Sequence, residues 1–408
     1  MFHSTRIEGV ATIESNLYPN RSWHAPQMKT IDLIPVKPLT RRNFLAGASA
    51  VALSSVPAIA SFKLPGTIRV GLLGLDGHIG DILDARRVFP NFQVQAISDT
   101  NVQRLKEVGD RIGVPVEHRY TNHQMLLDRE KLEVAAICGT DGERAGLVME
   151  CIARGLHIIA EKPLGMNWAQ VQKIRTALAA GKVHLTMLLT MRFLGTFMAM
   201  RQMVESGQIG EVAQVDGQKS YVLGERPDWM LHNATFSGII PYIGIHLVDL
   251  MRFTSKREPI QVSALQAHIG QPNMLDFNDT AATMFCLDNK APAQLHLDYL
   301  RPQTFGTHGD DRLRLAGTEG ILEYREGLGL VYGSKKQSQK LLNSLPPDQS
   351  LVANFLASIY GVQILLHPVE LTLEDIFRAN QIVFAARDAA ESDRIVPIQY
   401  GRSTGDRR

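Results

Sequence analysis

Three short stretches of the sequence carry residue types that could do chemistry together. Glu161-Lys162-Pro163, within "AEKPLG", closes a short apolar run. An ammonium in a partly dry site there would be a strong donor to a substrate hydroxyl or a developing alkoxide. A surface Glu/Lys pair before a proline turn is the plainer alternative on composition alone. His246 lies in "SGIIPYIGIHLVDLMRF", with Asp249 three residues later. An imidazole on an otherwise apolar helix can accept a hydroxyl proton while hydride leaves the carbon. It can equally be a core histidine satisfied by a backbone carbonyl. The third stretch, "VGLLGLDGHIG", spaces Gly71, Gly74, Gly77 and Gly80 three apart, so the Gly-x-Gly pair of a dinucleotide loop is absent. Asp99 follows Gly74 by 25 positions and ends the apolar run "FQVQAISD". A carboxylate there can accept the ribose hydroxyls of a dinucleotide and disfavours a 2′-phosphate, which favours NAD over NADP. Aspartate at a strand end is also a common turn residue.

The elements that must position these groups follow a regular order. "TIRVGLLG", "FQVQAISD", "EVAAICGT", "HIIAEKP" and "VHLTMLL" read as strands. Between them lie "DILDARRVF", "NVQRLKEVGDRIG" with Gly113 as its stop, "YTNHQMLLDREKL" with Thr121 as its cap, "RAGLVMECIARG" and "NWAQVQKIRTALAAG". This alternation predicts an α/β fold with a parallel sheet wound on both faces. Beyond Arg192 the runs "EVAQVDGQKSYVL", "QVSALQAHI", "TAATMFCLD", "AQLHLDYL", "DRLRLAGTEGILEYR" and "GLVYGS" predict a largely antiparallel sheet. "GSKKQSQKLLNSLPPDQS" reads as a mobile loop, and Thr372 caps a long final helix over about 372–391. The expected divisions are 1–60, 66–190 and 191–400.

Length and charge narrow the function classes. At 408 residues two domains are expected, and a formal charge of +2 without a dense Lys/Arg stripe gives no case for nucleic acid. Cys138, Cys151 and Cys286 have no metal-ligand spacing, and the first two read as buried free thiols. Arg41-Arg42 precede an apolar stretch from Phe44 to Leu53, with small residues at Ala58 and Ala60. This is the pattern of a twin-arginine export signal cut after Ala60, with Met28 as a plausible start. It places the mature protein in the periplasm or otherwise outside the cytoplasm. A membrane anchor is the competing reading, but the stretch is short and rich in alanine and serine, so no stable membrane insertion is expected after cleavage.

Taken in order, "GLLGLDG", "ISD", "EKPLG", "MRFLGTFMAMRQMVESGQIGEV", "GIHLVD", "GTEG" and the closing helix resemble the Gfo/Idh/MocA oxidoreductases over Ile68 to Ile398. The resemblance implies an N-terminal Rossmann domain and a C-terminal α+β domain with a large, open, mostly antiparallel sheet. It also implies NAD(P)-linked oxidation of a sugar or polyol carbinol, a homo-oligomer, and a final helix that packs back on the Rossmann domain. On it, Lys162 and His246 match the catalytic lysine and histidine. Gly74, Leu75, Asp76, Gly77, His78, Asp99, Thr140, Asp141, Glu161 and Lys162 fall where the cofactor is bound. Arg192, Tyr221, Arg226, Asp228, Trp229 and His246 are candidate substrate-pocket residues; Tyr221 and Trp229 can stack on a sugar face or equally pack in the core.

Three positions depart from that family. Asp76 stands at the second loop glycine, where a carboxylate about 5 Å from a phosphate costs roughly 3 kcal/mol per charge pair at an effective dielectric of about 20. Gly77 and Gly80 can restore room by moving the turn one residue on. Tyr242 replaces an aspartate one helical turn before His246 and is a candidate proton relay. Arg144 replaces a histidine and could grip a phosphate or an acidic substrate. The leading expectation is an exported NAD-dependent oxidoreductase of sugars or polyols. The alternatives are a redox-neutral lyase, glycosidase or epimerase that retains its NAD, and a sugar-binding protein without catalysis.

Overall fold

The computed structural model describes residues 62–400 apart from 182, 271–277 and 366–367; the expected export signal lies outside the described residues. The chain begins with the strand–helix alternation read above: β1 (Ile68–Leu73), α1 (Ile79–Val88), β2 (Phe92–Ser98), α2 (Val102–Ile112), β3 (Arg119–Tyr120), α3 (His123–Arg129), β4 (Val134–Ile137), α4 (Asp141–Ala153), β5 (His157–Ala160), α5 (Trp168–Ala180) and β6 (Leu185–Met187). The six strands form one parallel sheet in the order β3-β2-β1-β4-β5-β6. Strand order reverses between β1 and β4, which opens the crevice at the carboxyl ends where such sheets bind ligands. All four residues of β4 are buried, as a sheet covered on both faces requires. Asn101, Thr140 and Asn167 each cap the following helix by accepting the amide three residues on, and Gly113 ends α2 in the left-handed conformation. Asn122, not Thr121, caps α3, because the helix starts at His123 and only the preceding side chain reaches the Met125 amide, 3.1 Å away.

Beyond β6 come α6 (Gly195–Glu205), β7 (Val212–Ser220) and α7 (Ile239–Ser255), then β8 (Pro259–Ala267), β9 (Thr280–Leu287), β10 (Pro292–Asp298), β11 (Arg312–Gly317), β12 (Gly320–Arg325), β13 (Gly329–Ser334) and β14 (Gln337–Leu341). With β15 (Val396–Pro397) these strands form a nine-stranded sheet in which β7 and β10 pair in parallel and the other neighbours run antiparallel. α7 lies on its inner face: a Cβ on Gly217 of β7 would touch Leu247, and one on Gly244 would press on Leu297. The segment read as a mobile loop contains β14, an edge strand exposed at every residue. With no buried face it has no apolar alternation to read. α8 (Leu351–Tyr360) follows, and α9 (Leu373–Ser392) starts with a capping box between Thr372 and Asp375. α9 packs along α7 and also ties to the parallel sheet side, where Asn380 accepts the Leu164 amide at 3.0 Å and Glu374 pairs with Arg175 at 2.8 Å.

Candidate active site

The loop after β1 turns on glycines with positive φ, 82° at Gly74 and 64° at Gly77. A Cβ on Gly74 would run into the Gly139 backbone after β4, and one on Gly77 into the Glu161 carboxylate. Both positions therefore need glycine for close approach as well as conformation. Gly80 faces open space, so no close approach requires a glycine there. Asp76 lies 2.5 Å from Arg104 Nη1 and accepts a hydrogen bond from Trp229 Nε1 at 3.3 Å. The charge expected to repel a pyrophosphate is thus answered by a guanidinium, which corrects that expectation.

Asp99 accepts the Leu75 amide at 2.9 Å through one oxygen and the Asn101 amide at 2.7 Å through the other. It holds the loop to the end of β2 while each oxygen keeps a lone pair for a ribose hydroxyl. A cavity of about 310 Å³ lies between Gly74, Asp76, Asp99, Arg104, Thr140 and Trp229. The glycine cradle, the N-terminal end of α1 and this groove fit a nicotinamide dinucleotide. Asp141 is not part of the groove. Its carboxylate is buried and taken up by Arg144 at 2.8 Å and by the Ser237 amide and hydroxyl at 3.1 and 2.5 Å.

At the end of β5, Glu161 reaches back under the loop. One oxygen accepts the His78 amide at 2.5 Å and sits 2.6 Å from His78 Nδ1, and the other accepts the Lys162 amide at 3.1 Å. Burial would raise the Glu161 carboxyl, but His78, with Lys162 and Arg144, holds it well below the usual range. Glu161 in turn raises the His78 imidazole against its burial.

Lys162 is buried. Its Nζ donates to the Tyr242 carbonyl at 2.9 Å and stands 3.3 Å from the centre of the Tyr242 ring. Burial lowers its pKa to about 8 despite Glu161 and Asp141. One turn further along α7, His246 has its Nδ1 buried and without a partner among the described residues, its ring 5.7 Å from that of His78. Burial, with Lys162, Lys219 and His78 adding to it, pushes His246 far below the ordinary histidine range, so it is neutral near pH 7.

Tyr242 makes no hydrogen bond to His246 among the described residues. Its ring packs on Phe236 at 5.1 Å and Trp229 at 6.1 Å, and burial drives its hydroxyl pKa well up. Instead of the expected proton relay it is a platform for the Lys162 ammonium, a cation–π contact made possible where a carboxylate would have formed an ion pair.

Two expectations for arginines are overturned. Arg144 is fully buried and donates inward to Asp141, to the Pro163 carbonyl at 2.7 Å and to the Gly139 carbonyl at 2.8 Å. It ties the loops after β4 and β5 through its two terminal nitrogens, and its Nε is buried without a partner among the described residues. Arg192 is also buried, bonded through two nitrogens to Asp249, to the Glu370 carbonyl at 2.8 Å and to Asp375 at 3.4 Å. It anchors α7 to α9 and reads no substrate. Tyr221 is half-buried and stacks on His308 at 5.1 Å, Arg226 lies over the Tyr299 ring at 5.0 Å, and Asp228 is exposed.

The sequence reading missed Arg104, Lys219 and Asp311. Lys219 had a signal, a charge in step with Val215 and Gly217 on the inward face of β7. Asp311, in "GDDRLRL", had none. Among the described residues no group of three or more His, Cys, Asp or Glu could hold a metal, and no helix is long and apolar enough to cross a membrane.

Comparison with known proteins bears on the whole arrangement. Myo-inositol 2-dehydrogenase of Thermotoga maritima is 25% identical over 256 residues, 62% of this chain and 74% of its own length. Inositol 2-dehydrogenase of Rhizobium meliloti is 25% identical over 258 residues, 63% of this chain and 75% of its own. A solved oxidoreductase structure from Thermotoga maritima superposes with a TM-score of 0.75 at 26% identity, over 81% of this chain and 100% of that one. An NAD+ complex of an inositol dehydrogenase homologue from Azotobacter vinelandii shares the fold, with a TM-score of 0.72 at 16% identity over 83% and 99% of the two chains. Residues 68–188 match the oxidoreductase family model with an NAD-binding Rossmann fold, and residues 197–323 match the GFO/IDH/MocA C-terminal domain. With both models matched in chain order, the protein belongs to the GFO/IDH/MocA family of NAD-binding oxidoreductases.

Proposed function

We propose that this protein oxidises a carbinol of a cyclic polyol or sugar with NAD, or reduces the corresponding ketone. The observation that carries the reading is the placement of Lys162. It is anchored at the carboxyl end of β5 beside the dinucleotide groove, and it bonds α7 one helical turn before a neutral His246 whose Nδ1 has no partner among the described residues. The Lys162 ammonium donates to the carbinol oxygen, and its interaction strengthens as that oxygen gains negative charge. His246 takes the hydroxyl proton through a nitrogen left free for that purpose. The bound dinucleotide supplies the hydride acceptor. Glu161 and His78 hold the Lys162 backbone against the loop, and Tyr242 keeps the ammonium in place. The inositol dehydrogenase relatives support a polyhydroxylated ring as substrate. The test is NADH absorbance on mixing the chain from Ser61 with NAD and a panel of inositols and aldoses. Turnover of at least one, reduced about 10²- to 10³-fold in kcat/KM by Lys162→Met, is expected; none with any ring polyol sinks the reading.

A redox-neutral reaction with retained NAD is the second reading, favoured by Trp229 reaching Asp76 across the mouth of the groove. Denaturing the purified protein and weighing what it releases decides between them. Stoichiometric NAD supports retention, and an empty but NAD-responsive enzyme supports net dehydrogenation. The proposal extends to export through Arg41-Arg42, tested by fractionating cells that carry the double substitution Arg41→Lys with Arg42→Lys. It also extends to a homo-oligomer through the open face of the nine-stranded sheet, where Leu265, Met284 and Ile321 are exposed. Light scattering tests that assembly.

A further inference from the structure

Lys219 and Asp311 are 92 positions apart and meet beside α7. Gly217 faces Leu247, and Lys219, one pleat further along β7, is the register partner of Leu297, whose side chain lies against Gly244. Lys219 therefore arrives at the part of α7 between Tyr242 and His246. Its Nζ is buried and donates to Asp311 Oδ2 and to the Tyr221 hydroxyl, both at 2.5 Å. The third N–H of the ammonium has no protein acceptor among the described residues. Asp311 Oδ1 is buried and unpaired among them, as are Arg226 Nε and His246 Nδ1. Each buried polar atom left unpaired costs free energy, which a hydroxyl set between Lys219 and Asp311 would recover. This cluster leaves acceptor and donor capacity over, beside the part of α7 that carries Tyr242 and His246. The charge of Lys219 also lowers the proton affinity of both Lys162 and His246, as a neighbour in one site must.

We propose that Lys219, Asp311 and Tyr221 form a diol subsite that holds the hydroxyl adjacent to the reacting carbinol, with Lys219 donating to its oxygen and Asp311 accepting its hydrogen. The inference rests on the polyol dehydrogenase reading and narrows its substrate class to rings with vicinal hydroxyls. A simple alcohol would leave one N–H of the Lys219 ammonium and Asp311 Oδ1 without a partner. Sites built to bond a hydroxyl reject the analogue lacking it by up to about 10⁴-fold.

The test uses the full chain saturated with NAD and three probes: myo-inositol, trans-cyclohexane-1,2-diol and cyclohexanol. The wild type is expected to favour the diol over cyclohexanol by at least about 100-fold in kcat/KM. Lys219→Met and Asp311→Asn should cut that preference to about tenfold or less, chiefly through KM, while NAD affinity measured by calorimetry stays unchanged. Tyr221→Phe removes only an oxygen and should raise the KM for the diol about three- to tenfold. If the Lys219 and Asp311 variants fail to bind NAD, Tyr221→Phe and Lys219→Arg decide, and wild-type kinetics in both overturn the subsite. Equal use of diol and cyclohexanol by the wild type, or variants that keep the preference, overturns the subsite and leaves the dehydrogenase reading standing. Oxidation of none of the three, nor of any inositol or aldose, overturns both.

Discussion

The two halves of α7 bury polar side chains in opposite states. In the C-terminal half the charged groups are saturated. Asp249 receives two nitrogens of Arg192, and Arg252 donates to both Glu258 oxygens at 2.6 and 2.7 Å and to Asp375 at 3.3 Å. In the N-terminal half Tyr242 gives Lys162 only a carbonyl and a ring face, and His246 Nδ1 has no partner among the described residues. Burial of a charged or polar residue does not by itself mark function; in α7 the two halves differ in how far their buried polar atoms are bonded. The first half-helix is the surface proposed to meet the substrate, and the second is a clamp joining α7 to α9 and the loop before it.

The contrast is sharpest in activity. Lys162→Met removes a donor to developing charge, and kcat/KM should fall about 10²- to 10³-fold in a steady-state NADH assay. Its urea midpoint should not fall, because a buried ammonium is replaced by an apolar chain of similar length. Arg192→Met should behave in reverse. It strands Asp249 in the core and should cost about 3–5 kcal/mol in urea unfolding, with the activity of the folded fraction retained. An Arg192 variant that is stable and inactive would erase the distinction between the two halves.

The pH dependence separates the halves more finely. Burial holds Lys162 at about 8, below its usual 10.5. As a donor it acts in its protonated form, so kcat/KM should fall as pH rises through about 8. The unfolded chain keeps that proton up to 10.5, so between about 8 and 10.5 this group makes folding more favourable as pH rises. Activity and this contribution to stability therefore move in opposite directions over the same window. Neutral His246 should impose no acid limb near its ordinary range. The smallest effect is expected of Tyr242→Phe. It keeps ring and carbonyl, so kcat/KM should stay within about threefold, whereas a proton relay through the hydroxyl would cost about 10²-fold or more.

Much of this was legible in local pattern. Strand–helix alternation, the Gly113 and Thr372 signals and the apolar setting of His246 depend on residues within a turn or two of one another. The parallel sheet and the placement of Lys162 at a strand end followed from them. β14 was illegible because a doubly exposed edge strand has no buried face to create a period. Asp76 looked like a defect because its two partners, Arg104 and Trp229, lie 28 and 153 positions away. Arg144, Asp141 and Arg192 looked available because a sequence shows charge but not the distant partners that bond it.

The sequence by itself therefore determined the kind of fold and the strand and helix that carry the candidate groups Lys162 and His246, since periodicity and capping are short-range. Only the tertiary structure decided which buried polar atoms are spent and which remain free. That outcome is set where two sheets close on α7, by bond directions among residues such as Lys219 and Asp311 that share no local pattern.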